Sequence, residues 1–215
     1  MTRRGRLAPA AALLVPLLTG CTAGEADDTA APAPASPTPE TAEELGDLVL
    51  DEVPTGLPRI PDADLQPPAG AKTVDDVAAY AEDPARERTV LRDYGYRYGW
   101  ERFWGSTTGP LTSVFLDQFD EPAAARTYAS DLARNDAELY DGVLSHDPDD
   151  LPDGCSSLTV PEPDPDTGLA GPTAFAWCGH GTFSVAVTVV ADDLDEATGA
   201  ARDVVLAQLE ELPPA

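Results

Sequence analysis

The stretch RERTVLRDYGYRYGWERFW, Arg86 to Trp104, holds the densest set of side chains able to do chemistry. It contains six of the chain's 14 aromatic residues and five arginines, Arg86, Arg88, Arg92, Arg97 and Arg102. Tyr and Trp faces stack on sugar rings or grip apolar groups, and the fork of an arginine holds a carboxylate or phosphate through two hydrogen bonds. Tyr96, Arg97, Tyr98, Trp100, Arg102 and Trp104 are therefore the candidate ligand-binding set, suited to a glycan, an anionic ligand or a protein partner. The same residue types also suit a strand packed beneath helices, with Arg97 and Arg102 paired to some of the 39 acids.

Two acidic loops invite a calcium reading. Asp141, Asp147, Asp149, Asp150 and Asp153, then Glu162, Asp164 and Asp166, supply the hard oxygen donors that Ca²⁺ takes. Their spacing does not match a known loop: counting from Asp147, the sixth residue is Pro152 where an EF-hand needs Gly, and the twelfth is Leu158 where it needs Glu. No cofactor is expected beyond this weak cation pattern. The two histidines, His146 and His180, stand beside no recognisable nucleophile motif, and the chain has neither G-x-S-x-G, nor H-E-x-x-H, nor a glycine-rich phosphate loop. A hydrolase built on a carboxylate pair leaves no such trace, because two well-spaced acids among 39 are invisible in sequence.

The elements that must position these side chains are legible from periodicity. Thr41-Ala-Glu-Glu44 has capping-box spacing and leads into Leu45, Leu48 and Val49 on one helical face. Short helices are expected over 74–82 and 84–94, the second ended by Gly95. Tyr96 to Trp104 and Leu111 to Phe119 read as two strands joined through Gly109-Pro110. Pro122 opens a helix to about Leu139 with Ala125, Tyr128, Ala129 and Leu132 inward. Ser157 to Val160 reads as a short strand, and a hairpin pairs Phe175 and Trp177 with alternating Phe183, Val185, Val187 and Val189. Asp193 caps a last helix through Leu194, Ala197, Ala201, Val205 and Leu209. The expected fold is α+β: an antiparallel sheet of about five strands, packed on one face by helices, in a single small domain over residues 41–215.

Charge excludes some partners. The chain carries 13 basic and 39 acidic residues, a net charge of −26, and without residues 1–20 it would have 10 basic groups and a net charge of −29. Such a body repels nucleic acid and anionic lipid alike.

The amino-terminal segment sets the expected location. Arg3, Arg4 and Arg6 precede the apolar LAPAAALLVPLL, which closes on small residues in the layout of an export signal over residues 1–20. Its roughly 12 apolar residues, at about 1.5 Å each, fall well short of the ~30 Å hydrocarbon core. Leu18-Thr19-Gly20-Cys21 resembles the lipobox of bacterial lipoproteins, and the composition, with Arg far above Lys and abundant Ala, Pro and Asp, is similar to that of actinobacterial lipoproteins. The resemblance implies that Cys21 carries a diacylglycerol, joined by palmitate-type acylation, and becomes the first mature residue. Residues 21–40, rich in Ala, Pro and Thr, then read as a disordered tether reaching about 25 Å as a coil and about 60 Å when extended. Lipidation of Cys21 leaves Cys155 and Cys178 as a pair for an oxidising compartment. The resulting expectation is a non-catalytic lipoprotein on the outer face of the cytoplasmic membrane, held there by its lipid and binding an envelope glycan, anionic ligand or envelope protein. A wall-polymer hydrolase and a structural spacer are the alternatives.

Overall fold

A computed structural model describes residues 38–215. The export signal, Cys21 and the tether up to residue 37 lie outside the described residues. Seven strands form one antiparallel sheet in the order β1-β2-β3-β7-β6-β5-β4. They are β1 Gly70–Lys72, β2 Tyr96–Gly105, β3 Leu111–Phe119, β4 Val143–His146, β5 Cys155–Val160, β6 Thr173–His180 and β7 Phe183–Val190. Five helices accompany them: α1 Ala42–Gly46, α2 Val74–Ala78, α3 Pro84–Asp93, α4 Pro122–Tyr140 and α5 Leu194–Glu210. Among the described residues, no helix is long and apolar enough to cross a membrane.

The helix starts follow their caps. The Thr41, Thr73, Asp83 and Asp193 side chains each accept a backbone N–H from the first turn that follows. Gly95, at φ 72°, turns the chain out of α3 into β2, a conformation that glycine adopts without a Cβ penalty. The central strands lie where aromatic and β-branched alternation places them, β3 spanning Leu111–Phe119 as expected.

Two expectations need correction. The sheet has seven strands, not about five, because the outermost pair, β1 and β4, are short edges without a repeating apolar face: β1 is Gly-Ala-Lys, and β4 is largely exposed. Helices also cover both faces rather than one. Ala174, Ala176 and Cys178 of β6, with Val185, Val187 and Val189 of β7, pack against Ala197, Ala201, Val204 and Val205 of α5. Phe175 and Trp177 point the other way, into a cluster with Ala129 and Ala133 of α4. The small residues between the large ones in β6 and β7 are what let a second helix approach; in sequence they resemble a solvent face.

The α5 face of β2 is closed by the amino-terminal segment. Arg102, buried, donates through Nη1 to the carbonyls of Val49 (2.5 Å) and Leu50 (2.7 Å), and through Nη2 to that of Gly46 (3.3 Å). Gln208 of α5, also buried, donates to the Leu48 carbonyl at 2.8 Å and accepts from the Leu50 N–H at 3.1 Å. Pro39 is itself buried, its carbonyl accepting from the Tyr98 hydroxyl (2.8 Å) and Gln118 Nε2 (3.2 Å). The carbonyls of Pro39, Gly46, Leu48, Val49 and Leu50 are thus partnered where this irregular segment enters the core.

Cys155 and Cys178 sit directly opposite on β5 and β6 and form a disulfide. Closing a loop of this length restricts the unfolded chain by about 3–4 kcal/mol on the chain-entropy account. The double variant Cys155→Ser, Cys178→Ser should therefore unfold in urea with stability lowered by about 3 kcal/mol. A midpoint unchanged from the parent protein would show that the bridge contributes nothing.

Candidate functional site: an acidic aromatic groove beneath helix α4

Normal alternation would place Tyr96, Tyr98, Trp100, Arg102 and Trp104 together on one face of β2. A bulge at Arg97 breaks that step, since Tyr96 pairs with Phe119 and Tyr98 with Gln118. Tyr96 therefore turns to the α4 face, where it packs on Phe119 and near Tyr128. Tyr98, Trp100, Arg102 and Trp104 remain on the α5 face. Trp104 is buried and donates its indole N–H to the Asp51 carbonyl, while Trp100 packs over Gly46, where a Cβ would come within 2.7 Å of the ring. Arg97 alone of the six is exposed, its guanidinium lying 5.2 Å from the Tyr98 ring centre. The structure thus divides the set between two faces and covers most of it with protein.

A different constellation lies open on the α4 face. A cavity of about 490 Å³ runs between α2 and α3 on one side and α4 on the other, over a floor of β2, β3, β7 and β6. A second, of about 330 Å³, adjoins it across the shared residues Tyr80, Glu101 and Phe115 and extends to Leu65 and Phe103. The aromatic members are ordered by one another: Tyr140 stacks on Phe175 at 5.1 Å and Phe175 on Trp177 at 5.4 Å. Phe103 and Phe115 meet edge to face at 5.5 Å.

Four carboxylates line this space, Glu87, Glu101, Asp117 and Asp136, and the environments of the last three differ. Glu101, buried at 5% exposure, accepts from Lys72 Nζ and from the Tyr80 hydroxyl, each at 3.1 Å. Burial raises its pKa, and the Lys72 charge draws it back. Asp117 accepts from the Tyr96 hydroxyl at 3.0 Å; burial moves its pKa from the ordinary 3.8 to about 7, against the pull of that hydrogen bond and with help from the Glu101 charge. Gly99 permits this contact, since a Cβ there would collide with both partners. Asp136, on α4, makes no hydrogen bond or ion pair among the described residues, and burial alone raises it to about 6. Tyr80, Tyr96 and Tyr128 are all pushed upward by burial first and by neighbouring carboxylates second.

The remaining candidates are placed as loop and edge residues. Asp147 accepts from the Gly154 N–H at 2.7 Å and so closes its own acidic loop, and among the described residues no group of three or more His, Cys, Asp or Glu side chains is arranged around a metal position. His146 meets the Ser156 hydroxyl at 3.1 Å, and His180 Nε2 donates to the Pro213 carbonyl at 2.8 Å, tying the carboxyl terminus to β6. Sequence reasoning missed Glu101, Asp117 and Asp136. Of these only Glu101 and Asp117 carried a trace, as single acids inside aromatic strands.

Fold and groove together describe a one-domain α+β protein with a cleft between two helical covers on one face of its sheet. Residues 50–214 match the family described as "Domain of unknown function (DUF7373) N-terminal", and the chain belongs to that family. No curated protein matches it. Among solved structures, it is similar to the extracellular domain of PknH from Mycobacterium tuberculosis, with 12% identity, 81% of this chain and 97% of that chain covered, and a TM-score of 0.49.

A carboxylate held above its unfolded pKa keeps its proton in the folded state, so the stability it brings is complete below about pH 4 and is lost as pH rises through about 7. Asp117→Asn, which keeps an acceptor for Tyr96, should remove that loss and make the protein about 1–3 kcal/mol more stable than the parent at pH 8, with little difference at pH 4. Urea titrations at the two pH values measure this. An equal offset at both would show that Asp117 is not sheltered.

Proposed function

We propose that this protein is a non-catalytic, lipid-anchored binding module of the bacterial cell envelope, and that its ligand lies in the groove between α4 and the α2–α3 pair. The observation that carries the reading is the groove itself. Its volume is of the size that small-molecule sites occupy, and its walls combine stacked aromatic rings with a few converging polar groups. The location is supported by the lipobox-like Leu18-Thr19-Gly20-Cys21 and by the disulfide, which persists in an oxidising compartment. Cys21 would hold the chain at the outer face of the cytoplasmic membrane, with residues 22–37 as the tether, shorter than the expected 21–40 because Pro39 is buried in the domain.

The hydrolase alternative asks for two carboxylates free to flank a scissile bond. Here the two acids on the sheet floor are both engaged, Glu101 by Lys72 and Tyr80 and Asp117 by Tyr96, and the two without a partner among the described residues, Glu87 and Asp136, stand on the separate helices α3 and α4. That arrangement favours binding over bond cleavage. The spacer alternative provides no reason for a cavity lined by desolvated acids.

Two measurements test the reading. Native protein should partition into detergent, with an intact mass that begins at Cys21 and includes a diacylglycerol, whereas Cys21→Ala should partition into water. Amide NMR of the Cys21→Ser chain titrated with fractionated envelope extract should show shifts clustered at Trp177, Thr188 and Tyr80, and these should vanish in Thr188→Trp, which fills the groove floor. Unmodified, water-soluble native protein would overturn the anchor, and shifts that ignore the groove or survive Thr188→Trp would overturn the site.

A further inference from the structure

The groove constrains the charge of its occupant. Glu87, Glu101, Asp117 and Asp136 line it, and neither cavity has a Lys, Arg or His in its wall. The nearest ammonium, Lys72, is already held by Glu101 at 3.1 Å and by the Pro68 carbonyl at 2.5 Å. An anion entering here would shed its water opposite acids and gain no counter-charge, which is costly in a poorly solvated space.

A neutral polyol fits poorly as well. The Tyr80 and Tyr96 hydroxyls already donate to Glu101 and Asp117, so a polyol would draw on Asn135, Tyr128, Tyr140 and Thr188 for donors and would leave the acids of the wall without a counter-charge. A hard metal ion needs about six to eight oxygen ligands converging on one point. The groove carboxylates are instead engaged separately, on β2, β3 and α4. Two lining carboxylates, Glu87 on α3 and Asp136 on α4, have no donor among the described residues, and of these Asp136 shares its helix with Tyr140, whose ring begins the stack with Phe175 and Trp177. Aromatic faces attract cations as well as apolar surface, and most strongly where water is excluded.

We infer that the groove binds an organic cation, a protonated amine or quaternary ammonium on an apolar body. The cationic head would sit at Asp136 against the Tyr140 face, and the body would lie along Trp177 and Phe115. This inference rests on the groove being the ligand site, and it adds the ligand's class: its charge sign and its apolar remainder.

Three probes of one shape separate the possibilities: phenylbutylamine, phenylbutanol and phenylbutyrate, each titrated into the full chain carrying Cys21→Ser and followed by amide NMR at Trp177 and Thr188. The amine should bind in the groove at least about tenfold more tightly than the alcohol, and the butyrate should not bind, the ratio expected for one charge-assisted contact. Asp136→Asn should reduce amine affinity about tenfold while leaving that of the alcohol unchanged, and Tyr140→Leu should narrow the amine's preference severalfold. Equal binding of amine and alcohol would overturn the charge inference and leave the groove standing as a ligand site. Tighter binding of the butyrate, or absence of shifts at Trp177 and Thr188 with all three probes, would overturn the cation inference; the envelope-extract titration with Thr188→Trp then decides separately whether the groove is a site at all.

Discussion

A seven-stranded sheet is wider than the helices available to cover it. At about 4.8 Å per strand it spans roughly 29 Å, whereas one helix covers about 10 Å. Both long helices, α4 and α5, settle over the β5–β6–β7 side, because that is where both faces of the strands are apolar. The β2–β3 side must be closed by other means. On the α5 face the amino-terminal segment does this, held by Arg102 and Gln208 through its own carbonyls and N–H groups. On the α4 face the short pair α2–α3 reaches only as far as Tyr80 and Glu87, and the strip between it and α4 stays open as the groove.

This division of labour explains why most of the charge is irrelevant to the site and a little of it is decisive. Acids on the solvated surface interact weakly with one another through water. Glu101, Asp117 and Asp136 face low-dielectric walls, so each must find a proton, a donor or a cation. Lys72 and Tyr80 meet the first, Tyr96 meets the second in part, and the third is unmet within the described residues. The bulge at Arg97 and the missing Cβ of Gly99 are local devices that bring Tyr96 over Asp117.

Legibility in the sequence followed burial. The alternation of YRYGWERFW and LTSVFLDQF located β2 and β3, and Asp193 marked the start of α5, because these segments repeat an apolar period over many residues. The edges β1 and β4 have no such period, and Ser184, Ala186 and Thr188 look like a solvent face although α4 lies above them. Arg102 offered the chemistry of a carboxylate grip, yet its fork is taken up chiefly by backbone carbonyls, a use that only the fold determines. The groove acids were unreadable for the opposite reason: among 39 acids, nothing in a sequence marks which three lose their water.

The groove depends on those acids being sheltered between the two helical covers, and carboxyl-carbon NMR of Asp117 and Asp136 across pH reads that shelter directly. The prediction is a midpoint near 7 for Asp117 and near 6 for Asp136. Midpoints near 4 for both, the value of a carboxylate in water, would contradict it.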